Sequence, residues 1–357
     1  MSFELCEKVR TLQPYDPITG SYKIRLDANE SFYSMPEDIK TEIKEIIDNT
    51  DFNRYPDPMA KQLIGSFSEY YGVDPANVTA TNGSDEMLYL LASAMLNKNS
   101  TVVVVEPDFS MYGFYSFLSE NKVITVKKDE LMNIRADELI KTVNDNKADM
   151  VIFSNPCNPT GCGMTAEDAR KLVRSVEALV VLDEAYMDFW DQPLLGEVND
   201  YDNLIVLKTA SKAVGSAALR LGFAVSNPTI TNALRSVKSP YNVNTLSQKI
   251  GACIYRHKQL LQERRLSIIE NTASLYEAFL KLKDNYKLPF DIAKPCANFV
   301  FIRTENAKDI YNYLLDNSIA VRYFGNASAL RITTGSKEEN EELLRTFERY
   351  IIENCLA

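Results

Sequence analysis

Asn203-Leu204-Ile205-Val206-Leu207-Lys208-Thr209-Ala210-Ser211-Lys212, followed by Leu219-Arg220-Leu221-Gly222-Phe223-Ala224-Val225, decides how this chain reads. The run 203–207 is continuously apolar after its first residue, the pattern of a strand covered on both faces. It ends in two small hydroxylated residues, Thr209 and Ser211, around a lysine that no local pattern explains. Arg220 and a second apolar run, 221–225, come next. A lysine at a strand end, flanked by small residues, can form an imine with a carbonyl compound. An amine in partly desolvated, cation-rich surroundings loses affinity for its proton and becomes nucleophilic. Taken alone, Lys212 reads as a solvated loop lysine, as most lysines do. The surrounding chain overturns that reading.

Working outward, the same rhythm recurs. Val78–Thr81, Thr101–Val105, Val123–Val126, Met150–Ser154, Leu179–Leu182, Leu204–Leu207 and Leu221–Val225 read as short apolar strands. Helices fit between most of them, for example over 165–178. Such alternation predicts a mostly parallel sheet with helices on both faces. Ligands of these sheets sit beyond the carboxyl ends of the strands. Upstream, residues 1–30 read as an irregular arm holding a short strand at Ile24, followed by helices over 36–49 and 59–71. Residues 245–283 predict one long helix or a broken pair. Beyond them the style changes to a small α+β domain, with strands over 297–303, 319–323 and 329–333 and a helix over 307–317. A capping box, Ser336-Lys337-Glu338-Glu339, opens the final helix.

Composition narrows the function. The 357 residues are 45% apolar and 25% charged, ordinary for a globular enzyme of one large domain or two. A net charge of −10 argues against a nucleic-acid footprint and an anionic membrane surface. No apolar run approaches the ~20 residues of a membrane span. The six cysteines are scattered and fit free thiols in a reducing cytoplasm. With one histidine, His257, a mixed Cys/His metal site is not expected, and no metal is assigned.

The residues just after the strands form a chemical set. Gly83, Ser84 and Asp85 open a helix, whose backbone N–H groups favour a phosphate. Phe109 offers a flat face for stacking, and Asn155 to Gly161 form a loop containing Asn158. Asp183 ends a buried strand, where a carboxylate is costly without a partner. Thr209, Ser211 and Arg220 add donors and a positive charge around Lys212. All have uses if a phosphorylated pyridine aldehyde sits there. Asp183 would pair with the protonated ring nitrogen and keep the ring an electron sink. Asn158 and Tyr186 would hydrogen-bond the ring hydroxyl, and Lys212 would form the imine and later move the proton. A competing pattern, Gly161-Cys162-Gly163-Met164-Thr165-Ala166, has the form of a dinucleotide fingerprint with Asp183 as its acidic residue. It lacks the tight turn directly after a strand, and it leaves Lys212 and the 83–84 glycine-serine pair without roles.

At these residues the sequence resembles the fold-type I pyridoxal-phosphate aminotransferases, specifically the histidinol-phosphate aminotransferase family. The matching stretches run in family order through nearly the whole chain: Asp27–Glu30, Arg54–Pro56, Thr81–Glu86, Pro107–Tyr112, Asn155–Gly161, Leu182–Tyr186, Ser211-Lys212, Leu219–Gly222 and Arg331–Thr333. The resemblance implies a large α/β domain, 31–245, with a mostly parallel seven-stranded sheet that binds pyridoxal 5'-phosphate. It implies an arm, 1–30, that packs with the small domain or a partner subunit, and an interdomain helix with a small α+β domain, 246–357. Lys212 becomes the Schiff-base lysine and Asp183 the pyridinium partner; Asn158 and Tyr186 bind the ring oxygen. Ser84, Asp85, Ser211 and Arg220 hold the cofactor phosphate, and Tyr55 reaches the phosphate of the neighbouring subunit in a homodimer with shared sites. Tyr15, Asn29, Arg322 and Arg331 correspond to substrate contacts. The implied reaction is cytoplasmic transamination between L-histidinol phosphate, a phosphorylated amino alcohol, and 2-oxoglutarate, in histidine biosynthesis, with no nucleic-acid or membrane partner.

The chain departs from the family pattern where Ser31 follows Asn29-Glu30 in place of proline, and where Phe109 replaces a tyrosine. Cys157 within the asparagine loop and Ala218 are further departures. None removes a catalytic group. Two rivals use the same scaffold: a threonine-phosphate decarboxylase of cobalamin synthesis and an aromatic amino-acid aminotransferase. A transcription regulator with an aminotransferase-like domain would need a helix-turn-helix that residues 1–50 have no room for.

Overall fold

The computed structural model describes residues 3–14 and 18–354. Twelve strands are β1 Ile24–Leu26, β2 Val78–Asn82, β3 Thr101–Glu106, β4 Lys122–Lys127, β5 Met150–Ser154, β6 Leu179–Asp183, β7 Leu204–Thr209, β8 Leu221–Ser226, β9 Asp291–Ile292, β10 Phe299–Arg303, β11 Ile319–Phe324 and β12 Ala329–Thr333. Seven of them form one sheet in the order β2-β8-β7-β6-β5-β3-β4. The pairs β3/β4, β3/β5, β5/β6 and β6/β7 are parallel, and β8 runs antiparallel to both its neighbours.

Side-chain alternation divides this sheet's core in two. Val103, Val105, Val151, Phe153, Val180, Leu182 and Val206 pack on one face with the helices Lys61–Tyr71, Ala166–Ser175 and Thr245–Arg256. Val102, Val104, Ile152, Val181, Ile205 and Leu207 pack on the other with the helix Ser84–Ala94 and Tyr112. The same parity assigns the strand ends. Asp183 continues the face of Val181, whereas Glu184 and Lys208 continue the face of Leu182 and Val206. The connection between β6 and β7 carries two 3₁₀ segments, Met187–Phe189 and Leu195–Asp200, and no α-helix, so the helical alternation pauses there.

The second sheet has five strands in the order β1-β11-β12-β10-β9, with β1 parallel to β11 and the remaining pairs antiparallel. Its core is separate, built on Leu275, Phe279, Val300, Ile302, Leu314, Val321, Leu330 and Phe347. The expected long helical stretch is a broken pair, Thr245–Arg256 and Lys258–Tyr286. His257, with φ −82° and ψ 55°, is the elbow between them. The final helix, Lys337–Glu353, opens on the expected capping box. Ser336 Oγ accepts from the Glu339 amide at 3.2 Å, and Glu339 Oε2 accepts from the Ser336 amide at 2.8 Å. Such a cap is worth about 1 kcal/mol.

Candidate active site

Strand ends β2, β5, β6, β7 and β8 converge on one site. At its β2 side, Gly83 has φ 78° and introduces the helix Ser84–Ala94. A Cβ on Gly83 would lie 2.7 Å from Arg220 Nη2, and one on Gly222 would lie 2.3 Å from the Ser84 nitrogen. Only glycines permit this approach of β8 to the helix start. Arg220 itself has φ 52°, a left-handed conformation that non-glycine residues hold only when their surroundings fix it. Its Nη2 donates to Asp85 Oδ2 at 3.1 Å, with both side chains near half exposed. Amides at a helix start beside a guanidinium suit a phosphate. Across β8, register places Thr209 and Thr81 on either side of Gly222. The Thr209 hydroxyl accepts from the Ser211 amide at 3.1 Å, which shapes the turn leading to Lys212.

Asp183 is buried at the end of β6. Its Oδ2 accepts from the Tyr112 hydroxyl at 2.7 Å and its Oδ1 from the Ala185 amide at 3.1 Å. Neither donor carries a positive charge. Burial therefore pushes the carboxyl up to about 6, even though the Tyr112 hydrogen bond opposes the shift. A cationic ring nitrogen supplies what this carboxylate lacks, so the residues present fit a pyridinium cofactor. Tyr112, missed as a site residue from the sequence, holds the carboxylate from the helix Met111–Leu118. Burial raises its phenol well above the ordinary tyrosine value. Phe109 is half-buried and meets the Tyr112 ring edge-on at 5.6 Å.

Lys212 is half-buried, and its Nζ donates to the Ala28 carbonyl at 2.9 Å and lies 5.8 Å from the Tyr186 ring centre. Burial, and then the Arg331 charge, lower its ammonium to about 8. About a tenth of the amine is then free at pH 7, far more than for an ordinary lysine. Tyr186 is buried, accepts from Asn29 Nδ2 at 2.9 Å, and is pushed up to about 12, chiefly by burial. The asparagine loop is anchored by Ser154, whose Oγ accepts from the Asn158 amide at 3.0 Å and bonds Asp108.

The small sheet closes the site. Arg331 on β12 is buried; its Nη1 donates to Asn158 Oδ1, and its Nη2 to the Asp27 carbonyl at 2.6 Å. Arg322 on β11 stands opposite it in register. Asn29, at φ 54°, is fully buried and also bonds the Thr333 hydroxyl, its amide donating at 2.9 Å. Three consecutive residues past β1 thus make three links: Asp27 to Arg331 within the small sheet, and Ala28 to Lys212 and Asn29 to Tyr186 across to the large one. Two of those links use backbone carbonyls, which leave no side-chain signal to read. Tyr55 lies apart from this cluster, highly exposed and stacked on Tyr241 at 4.5 Å. Tyr15 lies outside the described residues.

The fold and this cluster define a pyridoxal-phosphate-dependent transferase. The chain belongs to the aminotransferase class I and II family, which matches residues 21–347, and within it to the histidinol-phosphate aminotransferases. A histidinol-phosphate aminotransferase of Clostridium novyi is 41% identical over 94% of this chain and 94% of its own length. Among solved structures, a histidinol-phosphate aminotransferase from Sinorhizobium meliloti in complex with pyridoxal-5'-phosphate superposes with a TM-score of 0.87 at 21% identity, covering 99% of both chains. An L-threonine-O-3-phosphate decarboxylase from Porphyromonas gingivalis superposes with a TM-score of 0.79 at 20% identity over 92% of this chain and 99% of that one. At such identities these superpositions speak for the fold. Among the described residues, no helix is long and apolar enough to cross a membrane.

Proposed function

We propose that this enzyme exchanges an amino group between L-histidinol phosphate and 2-oxoglutarate, the step of histidine biosynthesis that yields or consumes imidazole acetol phosphate and glutamate. The observation that carries the reading is the full-length relationship at 41% identity to a histidinol-phosphate aminotransferase, joined to a site that retains Lys212, Asp183 and Arg331 together. Bound pyridoxal phosphate supplies an aldehyde for amine exchange and a cationic ring that takes up the charge left when a substrate proton departs. The chain's residues do the rest. Asp183 keeps the ring nitrogen protonated. Tyr112 orients Asp183. Asn158 and Tyr186 bind the ring oxygen, and Phe109 stacks on the ring face. Ser84, Asp85, Thr209, Ser211 and Arg220 hold the phosphate. Lys212 Nζ would hold the cofactor's aldehyde carbon and, once free, would carry the proton from the substrate carbon. Its lowered ammonium suits it to that work.

On the substrate side, we assign Arg331 and Arg322, with Asn29 and Tyr15, to the phosphate of one substrate and the carboxylate of the other. A guanidinium donates to either anion through paired N–H groups. Two further assignments belong to this reading. The chain divides into an arm, 1–30, a cofactor domain, 31–245, and an interdomain helix with a small domain, 246–357. It works in the cytoplasm as a homodimer in which Tyr55 reaches the partner's cofactor phosphate; the exposure of Tyr55 supports this.

The test is a visible absorbance spectrum of purified protein, before and after L-histidinol phosphate without keto acid. A yellow band that bleaches, and returns with 2-oxoglutarate, is the expected result. A yellow protein indifferent to histidinol phosphate would overturn the substrate assignment and turn the assay to threonine phosphate and aromatic amino acids. A protein colourless even after added pyridoxal phosphate would overturn the role of Lys212.

A further inference from the structure

Away from the Lys212 cluster, the fold does something unexpected with the chain's one histidine. Glu42 sits midway along the helix Glu37–Asp48, Cys253 in the last turn of Thr245–Arg256, and His257 at the elbow that follows. Cys253 and His257 are one helical turn apart and share a face. Glu42 comes from the facing helix and meets both. His257 Nε2 lies 2.9 Å from Glu42 Oε1, and Cys253 Sγ lies 3.3 Å from Glu42 Oε2. The three donor atoms all fall within 4.8 Å of one another.

Those three donor types, gathered at one point, are the ligand set of a small tetrahedral centre. With metal–nitrogen and metal–oxygen bonds of about 2.0–2.2 Å and a metal–sulfur bond of about 2.3 Å, the ligand atoms stand roughly 3.3–3.7 Å apart. Glu42, 41% exposed, already contacts both partners, one through each carboxylate oxygen, and the imidazole and thiol close from within 4.8 Å when an ion draws them together. Imidazole and thiolate donors select against calcium and magnesium and favour borderline-soft cations. A hollow lined by Glu45, Asn49, Gln62, Lys249 and Arg256 shares Glu42 with the cluster and opens it to solvent on that side. Arg256, 3.8 Å from Glu42, sits outside the donor set and offsets its negative charge.

We propose that Glu42, Cys253 and His257 form a three-ligand site for a divalent cation of the zinc class, with water as the fourth ligand. Binding forms one metal–sulfur, one metal–nitrogen and one metal–oxygen bond. The thiol proton of Cys253 leaves to solvent, and the imidazole binds through Nε2 with its proton on Nδ1. The ion would pin the helix Glu37–Asp48 to the elbow from which the long helix Lys258–Tyr286 departs toward the small sheet.

Equilibrium dialysis of the holoenzyme against Zn²⁺, with metal counted per chain, tests this, supported by ¹¹³Cd NMR of the cadmium-loaded protein. One zinc per chain is expected, with affinity lowered at least about tenfold in Cys253→Ala, His257→Asn and Glu42→Gln, since losing even an outer-shell partner costs that much. The cadmium resonance should fall where one thiolate is bound and move on Cys253→Ala. Glu42→Gln is a half-exposed, near-isosteric change, and its denaturation midpoint, measured beside zinc uptake, separates loss of zinc from loss of folding. Absence of stoichiometric uptake, or uptake unchanged by all three variants, would overturn the site.

Discussion

Lys208 and Lys212 stand four residues apart on the same strand and loop, yet the fold treats them in opposite ways. Lys208 points to the β7 face shared with Val206, where it is 3% exposed and bonds Asp188 Oδ1 at 3.1 Å above the Tyr71 ring. Lys212 lies past the strand end, on a carbonyl, with Arg331 and Arg220 among its charged neighbours. One lysine is neutralised by a carboxylate and serves as part of the core. The other is deprived of a direct ion pair, so its amine is easier to free. Burial loosens the Lys212 proton and the Arg331 charge adds to it, whereas buried Lys208 has the Asp188 carboxylate at 3.1 Å.

The contrast breaks most sharply by deletion. Lys212→Ala should lower transamination by more than about 10⁴-fold, removing both nucleophile and proton carrier, and leave pyridoxal phosphate bound only non-covalently. Turnover assays and mass after borohydride reduction check both. Lys208→Met should behave conversely. It strands Asp188 in a buried setting at a cost of about 3 kcal/mol, visible as a lower denaturation midpoint, while activity per folded molecule persists. A Lys208 variant that is stable but inactive would erase the distinction.

Asp183 sharpens the same point from the acidic side. Its folded carboxyl titrates near 6 against an ordinary 3.8. Between those values the folded apoenzyme holds a proton that the unfolded chain has lost. Stability from this group is therefore full below about pH 4 and declines as pH rises through 6, by up to about 3 kcal/mol. Denaturant unfolding of the apoenzyme across pH 4 to 7 should show that decline, and Asp183→Asn should flatten this part of it.

These residues also mark how far the sequence could be read. Strand positions, the helix start after Gly83 and the strand-end placement of Asp183 and Lys212 are legible because apolar runs announce buried strands, and polar residues at their ends stand out. The broken helix was left open, since His257 carries no strong breaking signal; its backbone angles come from packing. Tyr112 was overlooked because a tyrosine in an apolar helix looks like core, and it is core with its hydroxyl aimed at Asp183. The Asp27 and Ala28 carbonyls were invisible, as any backbone contact is. Those links depend on β1 pairing with β11, a register set almost three hundred residues along the chain.

Arg331 is where the two sheets meet chemically, and Arg331→Lys tests whether its fork matters or only its charge. Lysine keeps the positive neighbour of Lys212 but cannot donate to Asn158 and Asp27 while gripping an anion in two places. We expect kcat/KM to fall about 10- to 100-fold, the cost of one to two charge-assisted hydrogen bonds, mostly through KM for histidinol phosphate. An unchanged KM would place the substrate anion elsewhere.

Tyr55 has the smallest expected effect and the most to say about assembly. Highly exposed and resting on Tyr241, it takes no part in the site of its own chain. If it serves the partner's cofactor phosphate, Tyr55→Phe should weaken cofactor retention about tenfold, the worth of one hydrogen bond to a charged group. Protomers carrying Tyr55→Ala should then complement protomers carrying Lys212→Ala. Each mixed dimer would contain one site built from an intact Lys212 and an intact Tyr55, and one site lacking both. Mixing the two variants and measuring cofactor retention per dimer, alongside activity, separates this from a surface role. A mixture no better than the sum of its parts would mean that each chain holds its own cofactor phosphate unaided.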